Sequence, residues 1–229
     1  MLSEVKFNKQ GLVIVVDTTF FSHAEGLTVF REPNLKKNLW WQRTIHERAE
    51  VYLKGRHHLE QNGLTIKAVV LDGRKGIREL FSDLPVQMCH FHQKQIVKRY
   101  LTTRPKLEAS QELKAITDTL TKTNEQALTN TLDSWHEKWH DFLKEKTTDQ
   151  ISGRWYYSHK KIRAAYRSLK TNLPYLFTYQ KYPELNIPNT TNSLDGFFNR
   201  LKSLLNVHRG LRPDKRMRAV MEILKGRNG

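Results

Sequence analysis

Two aspartates each follow a short run of aliphatic residues, and this placement favours metal chemistry. Leu12–Val16 runs directly into Asp17, and Val69–Leu71 runs into Asp72, which Gly73 follows. An apolar run of this length that ends at an acid is typical of a buried strand, and open α/β sheets bind ligands at the carboxyl ends of their strands. Two carboxylates held side by side repel each other until a cation neutralises them, so the pattern predicts a divalent-metal site.

A third acid lies in a segment with helical spacing near the C-terminus. Asn189–Asn192 supplies groups that can cap a helix, and an apolar stripe follows at helical spacing. Asp195 and Lys202 lie two turns apart on the neighbouring polar stripe, where an acid and a base can meet a metal ion and the phosphate beside it. This third acid favours a metal site over the alternative that Asp17 and Asp72 only cap neighbouring loops.

The elements that must position these acids are predicted to form a mixed α/β sheet flanked by helices. A capping box at Thr44–Glu47 predicts the start of a helix, and Gly63 predicts its end. Three meandering strands followed by alternating helices and strands are typical of a mixed sheet. The predicted order is strand 12–17, strands Leu27–Glu32 and Leu35–Trp41, helix 44–63, strand 65–71, helix Ile77–Asp83 and strand Pro85–Cys89.

Residues from about 93 to 180 have helical spacing, which predicts an all-helical insertion into the sheet domain. The apolar residues of 127–143, including Trp135 and Trp139, mark the longest of its helices. The predicted division is a first part of the sheet domain (1–103), the helical insertion (104–185), and a last part of the sheet domain with the final helix and a basic tail (186–229).

The composition favours a polyanionic partner. Lys and Arg number 39 against 23 Asp and Glu, a net charge of +16, and the surplus is concentrated rather than spread, although an ordinary basic protein is the alternative. Cys89 is the only cysteine, which excludes a disulfide framework and agrees with a reducing compartment. No apolar run approaches the ~20 residues of a membrane span, so we expect an intracellular protein that makes no use of a membrane.

Four motifs, in this order, resemble the catalytic domain of Mutator-type transposases of bacterial insertion sequences. The resemblance covers about residues 12–210, and a helical block between the second and third acids belongs to it. The motifs are Asp17-Thr18-Thr19, Asp72-Gly73, Cys89-His90-Phe91-His92-Gln93, and Thr190-Thr191-Asn192 with Asp195.

The resemblance implies a DDE/D enzyme with an RNase H-like fold. Asp17, Asp72 and Asp195 would be its catalytic acids and the ligands of two Mg²⁺ ions, with Mn²⁺ as a substitute. The implied reaction is metal-dependent cleavage and transfer of DNA strands during transposition. The family's third acid is usually Glu; Asp keeps a hard oxygen ligand on a shorter side chain. The family also carries an N-terminal DNA-binding region, and we expect this chain to be a variant without it.

Two groups of residues are predicted to contact DNA. In related transposases an Arg-Trp pair in the insertion contacts the DNA end and can stack on an unpaired base. Arg154-Trp155 matches that pair, with a core tryptophan as the equal alternative. In the basic tail, contact with the DNA backbone is expected over a merely solvated charge run. The tail residues assigned to DNA are Arg200, Lys202, Arg209 and Arg212.

Cys89 and His92 match the family's Cys-x-x-His pair after the fifth strand. Two ligands are too few for a structural zinc site, which uses four. We therefore expect the pair to brace the floor of the site rather than to take part in the chemistry directly.

Two alternative functions stand beside the transposase. An RNase H-like nuclease would only hydrolyse its substrate, and a truncated DNA-binding remnant would no longer cut. A transposase would bind transposon ends and target DNA as a homo-oligomer, in the bacterial cytoplasm and in association with the nucleoid.

Overall fold

The computed structural model describes residues 11–23, 25–207 and 210–226. Across these residues, no helix combines the length and the apolar character that a membrane crossing requires. In chain order the elements are β1 (Leu12–Ser22), β2 (Glu25–Glu32), β3 (Lys37–Thr44), α1 (Ala49–Gln61), β4 (Ile66–Leu71), α2 (Lys75–Arg78), β5 (Val86–Met88), α3 (His90–Leu101), α4 (Glu108–Asp118), α5 (Glu125–Lys138), α6 (His140–Lys144), β6 (Lys146–Thr148), β7 (Trp155–Tyr157), α7 (Lys160–Leu176), α8 (Thr178–Lys181), α9 (Asn192–Val207) and α10 (Pro213–Gly226).

The central sheet has five strands in the order β3-β2-β1-β4-β5. β1 and β2 pair antiparallel, as do β2 and β3, because short connections join them. β4 lies parallel to β1, and β5 parallel to β4, because α1 and α2 carry the chain back between strands. The predicted mixed sheet flanked by helices is confirmed. This strand order, in which β2 alone runs opposite to the others, is the RNase H-like arrangement.

β1 lies at the centre of the sheet and has both faces buried. Val13 and Val15 belong to a core formed with α9 and α10, while Leu12, Ile14 and Val16 belong to a second core on the other face, against α1. A strand covered on both faces needs apolar residues at consecutive positions. This is why the sequence shows an unbroken aliphatic run here rather than alternation.

The insertion builds a core of its own from α4, α5, α6 and α7, which α3 joins. Leu113, Leu132 and Leu169 are fully buried in it. Trp135 is buried with them and donates its indole N–H to the carbonyl of Ala109 at 3.1 Å, so the polar atom of this large side chain is satisfied. Because α3 also follows β5 directly, one helix connects the packing of the insertion to the sheet.

The insertion is not all-helical, and that part of the sequence prediction is wrong. β6 and β7 form an antiparallel hairpin in which Thr147 lies opposite Tyr156. Asp149 closes the turn by accepting hydrogen bonds from the backbone N–H groups of Ile151 and Ser152. β-branched and aromatic residues suit such strands, but three residues are too few to show alternation in a sequence.

Two predicted helix boundaries are also wrong. β3 extends to Thr44, which pairs with Gly26 on β2, so the predicted capping box lies in a strand and a loop. α1 begins at Ala49 instead. The helix predicted over 127–143 is broken at Trp139 into α5 and α6, because the Trp139 backbone leaves the helical region and its indole N–H donates to a carboxylate on α4.

Candidate active site

Asp17 and Asp72 lie at the same level on neighbouring strands. Asp72 directly follows β4, as predicted. Asp17 lies inside β1, so the prediction that this strand ends there is wrong; β1 continues to Ser22 because it forms the hairpin with β2. Val15 pairs with Val70 in the last parallel pair of β1 and β4. Each acid lies two residues beyond its member of that pair, so the two carboxyl groups emerge together.

Asp195 lies in the first turn of α9, as predicted. Its Oδ2 accepts a hydrogen bond from the hydroxyl of Thr191 at 3.0 Å. The backbone N–H of Thr191 donates to Cys89 Sγ at 3.3 Å, and Sγ lies 3.4 Å from the Thr191 hydroxyl. In addition, the backbone N–H of His90 donates to the carbonyl of Asn189 at 2.9 Å. These bonds fix the beginning of α9, and with it Asp195, to the residues that follow β5.

Asp72 and Asp195 lie close enough to Asp17 for their charges to act on its carboxyl group. The pKa of Asp17 is raised from 3.8 to about 7, mainly by burial, and the charges of Asp72 and Asp195 contribute to this rise. The charge of His92 and the backbone N–H of Thr18 oppose this rise. Asp17 is therefore the most strongly perturbed carboxyl group of the site, and a perturbation by burial and like charge is typical of a functional site.

Cys89 and His92 form a polar pair beside these acids. Burial lowers the pKa of His92, but Cys89, Asp17 and Asp72 outweigh it and raise that pKa to about 9. Burial raises the pKa of the Cys89 thiol, whereas hydrogen bonds from His92 and Thr191 lower it below its usual range. His92 therefore brings a positive charge to the acidic site at neutral pH. The sequence predicted only that Cys89 and His92 brace the floor of the site. It did not predict that His92 carries a positive charge.

The donor chemistry of the three acids fits Mg²⁺, which prefers carboxylate oxygens. One oxygen of Asp17 accepts from the backbone N–H of Thr18 at 2.8 Å, and one of Asp72 accepts from that of Arg74 at 2.9 Å. The other oxygen of these two acids and of Asp195 accepts no hydrogen bond from a residue that the structure describes. Within the described ranges, however, no group of three or more His, Cys, Asp or Glu side chains is spaced to hold a metal ion. The acids therefore supply suitable ligands without forming a closed ligand set.

Comparison with known proteins identifies no family for the chain. No protein-family model matches it, and no curated protein matches it significantly. Among solved structures, the chain is similar to the catalytic core domain of BIV integrase, with 15% sequence identity over 70% of this chain and 99% of that chain, and a TM-score of 0.30. This TM-score is too low to support a conclusion, so the fold rests on the strand order of the sheet.

A hydrogen-bonded network behind the acids was not expected from the sequence. The hydroxyl of Tyr52 donates to Glu47 Oε1 at 2.7 Å and lies 2.9 Å from the hydroxyl of Thr18. The other oxygen of Glu47 pairs with the Arg74 guanidinium at 3.1 Å. Thr18 and Arg74 follow the two strand acids closely in sequence, and the Arg74 backbone holds Asp72. Burial and the charge of Glu47 raise the pKa of Tyr52 well above its usual value, so its hydroxyl keeps its proton.

Arg154 and Trp155 lie on the exposed hairpin of the insertion. Trp155 is 57% exposed, so the alternative of a core tryptophan is wrong. The ammonium of Lys146 lies 3.9 Å from the Trp155 ring, and the guanidinium of Arg163 lies 3.7 Å from the ring of Tyr157. The hairpin thus presents aromatic faces flanked by cations, and its side chains contact these cations rather than the acids.

The basic tail divides into exposed cations and cations that serve the fold. Arg200 and Arg212 are exposed, Lys202 is half-buried, and Arg209 lies outside the described residues. Arg216 differs, because its guanidinium forms an ion pair with the buried Glu25 on β2. The other side of α10 is apolar and packs on the sheet through Met217, Val220 and Leu224. DNA contact by Arg200, Lys202, Arg209 and Arg212 stays a prediction, whereas Arg216 is engaged within the fold.

Proposed function

We propose that this chain is the catalytic core of a DDE/D-type transposase, which cuts and transfers DNA strands with the help of divalent metal ions. The observation that supports it most is the convergence of Asp17, Asp72 and Asp195 from two strands and a helix. The sequence resemblance to Mutator-type insertion-sequence transposases and the charge of +16 agree with a DNA substrate.

In this proposal Asp17, Asp72 and Asp195 would hold two Mg²⁺ ions, with Mn²⁺ as a substitute. Such ions would supply activation of an attacking oxygen and stabilisation of the leaving oxygen of a phosphodiester. The backbone N–H groups of Thr18 and Arg74 orient the two strand acids. His92 offsets part of the negative charge before a metal binds, and Thr191 orients Asp195.

DNA is the proposed partner, as transposon ends and as target. The exposed cations of the tail, together with Lys202, would track the phosphate backbone, and Trp155 with Arg154 would stack on an unpaired base at the DNA end. Assembly as a homo-oligomer on DNA, in the bacterial cytoplasm and on the nucleoid, belongs to the same proposal.

Asp72→Asn tests the catalytic part of the proposal. Asn keeps the shape of the side chain but loses the charge that a hard cation needs, so Mg²⁺-dependent nicking of supercoiled plasmid should fall to background. DNA affinity, measured in the same buffer, should stay nearly unchanged because Lys and Arg supply it. Asp141→Asn is the matched control, since the Asp141 side chain is fully exposed. Nicking by Asp72→Asn at the wild-type rate would contradict a two-metal site.

The same acids would also serve a nuclease that only hydrolyses its substrate. Strand transfer needs a bound 3′-hydroxyl, so a labelled duplex with a free 3′-end separates the two functions. Joined products support the transposase, whereas nicking without joining supports the hydrolytic nuclease. Binding without nicking, in the presence of Mg²⁺ or Mn²⁺, supports the non-enzymatic remnant.

A further inference from the structure

A cleft of about 420 Å³ lies at the edge of the sheet, where α2 and the start of β5 meet the end of α7 and α8. This volume is in the range of pockets that hold small ligands. Its lining combines three cations and two tyrosines with one acid, Glu79, and apolar residues such as Leu84 and Val86. The residues that matter here are Lys75, Arg78, Tyr175, Thr178, Lys181 and Tyr182.

Arg78 is the buried charge of this cleft. It is 9% exposed, yet its guanidinium forms no salt bridge with any carboxylate that the structure describes. Nη1 donates to the amide oxygen of Asn172 at 3.2 Å, and the ring of Tyr175 lies 4.0 Å from the guanidinium carbon. The remaining N–H groups of Arg78 donate to none of the described residues and keep some access to solvent. A largely shielded cation that has no counter-ion and whose N–H groups are still accessible is well placed to bind an anion in the cleft.

The lining of the cleft carries three cations, Lys75, Arg78 and Lys181, against one acid, Glu79. Lys75 has a side chain that is 80% exposed, and only a long contact of 3.8 Å joins it to Glu79. Lys181 is half-exposed and pairs with Glu125 on α5 at 2.7 Å. Tyr182 is 39% exposed and supplies an aromatic surface beside these charges. A planar guanidinium, two lysines and an exposed ring together match a phosphate with an attached base.

We propose that this cleft binds the phosphate group of a nucleotide unit. The free N–H groups of Arg78 donate to the phosphate oxygens, Lys75 and Lys181 add charge at the rim, and the base lies against Tyr182. The phosphate belongs either to a free nucleotide or to a DNA strand. The proposal goes beyond the cleavage reaction, because none of its residues belongs to the acidic site.

Calorimetric titration with inorganic phosphate, AMP and a single-stranded oligothymidylate tests this proposal. Arg78→Gln keeps a donor for Asn172 but loses the charge, so binding through the cleft should weaken by about tenfold or more. The double variant of Lys75→Gln and Lys181→Gln changes side chains that are exposed or half-exposed. It should weaken binding through the cleft by about threefold or more. Lys114→Gln, on the surface of α4, is the matched control. Circular dichroism checks folding, and the rim variant decides the outcome if Arg78→Gln does not fold.

The probes distinguish the two sources of the phosphate. AMP binding that is lost in the cleft variants supports a free nucleotide. A DNA strand is supported if AMP binds weakly and the Arg78 variant changes the salt dependence of oligonucleotide binding. The slope of log K against log salt concentration should then fall in magnitude by about 1. Unchanged binding of all three probes in both cleft variants would overturn the proposal and leave Arg78 as a structural link between Asn172 and Tyr175. An Asp72→Asn background should leave these results unchanged, so they do not depend on whether the chain cuts DNA.

Discussion

Asp17 is the acid whose ionised form is opposed by burial and by the charges of the two other acids. It is buried beside two other acids, and only His92 and one backbone N–H favour its charged form. Without a metal, the folded chain resists ionising Asp17 until the pH approaches about 7, whereas in the unfolded chain this group ionises near its ordinary value. Asp17 therefore costs stability increasingly as the pH rises from about 4 to about 7.

Metal binding should reverse this pH dependence. Mg²⁺ needs the Asp17 carboxylate, so the rise in melting temperature that 10 mM Mg²⁺ produces should grow as the pH increases from about 6 to about 8. Asp17→Asn should remove the growth and should stabilise the metal-free protein at pH 8, by on the order of 2 kcal/mol. Thermal unfolding with Mg²⁺ and with EDTA measures both effects. A Mg²⁺ shift that is equal at all these pH values would count against Asp17 as a ligand.

At the scale of elements, the network around Tyr52 connects α1 to Thr18 in β1 and to the segment that follows β4. Its hydroxyl contacts Glu47 and Thr18 at once, and Glu47 holds Arg74 beside Asp72. The helix thus sets the position of residues that follow both strand acids. We regard this network as the reason that Thr18 in β1 and Arg74 after β4 keep a fixed geometry beside the two acids.

Tyr52→Phe should therefore slow catalysis more than it unfolds the protein. The ring packing against Phe30 remains. The half-buried partners keep other bonds, Thr18 with Thr28 and Glu47 with Arg74, so the loss of the hydroxyl should cost only about 0.5–1.5 kcal/mol. The nicking rate at saturating Mg²⁺ should fall by about tenfold, as expected for a residue that orients metal ligands. Tyr100→Phe, on the exposed face of α3, is the control. A normal nicking rate with the expected loss of stability would assign Tyr52 to packing alone.

The hairpin of β6 and β7 should contribute to DNA affinity through stacking. Trp155→Ala should weaken binding to DNA ends with unpaired bases by about 1–3 kcal/mol, and the melting temperature should change little because Trp155 is 57% exposed. Ile151→Ala, at the fully exposed turn of the same hairpin, is the matched control. Fluorescence anisotropy with end and fully paired duplexes measures the difference. Equal losses on both duplexes would point to charge or shape rather than stacking.

The sequence predicted the elements whose own residues determine them. The aliphatic runs before Asp17 and Asp72 revealed two central strands, and the stripe after Asn192 revealed α9. The extension of β1 to Ser22 depends on its pairing with β2. The residues of β1 alone do not predict this pairing. Likewise Thr44 has the spacing of a cap, but pairing with Gly26 places it in a strand, so tertiary contacts override the local signal.

At the scale of the whole molecule, charge should govern binding and the acids should govern cutting. Alanine at Lys202, Arg209 and Arg212 together should weaken DNA binding and lower the magnitude of the slope of log K against log salt concentration by about 2–3. Cutting at saturating DNA should continue. A triple variant of Lys114, Lys122 and Lys144 on the insertion removes the same charge elsewhere. Filter binding over a series of salt concentrations measures the slopes. Equal slopes of log K against log salt concentration for the two variants would show that DNA affinity depends only on the net charge of the protein.

The docking of α9 against Cys89 also determines at what stage of translation the three acids can come together. Asp17 and Asp72 are translated before the insertion, whereas Asp195 leaves the ribosome only after it, and segments that are made first begin to fold first. The growing chain holds two acids without the third while the segment between Asp72 and Asp195 is made. Under the proposed function, this order would keep the nascent polypeptide inert, and a chain that stops before α9 would be unable to cut DNA.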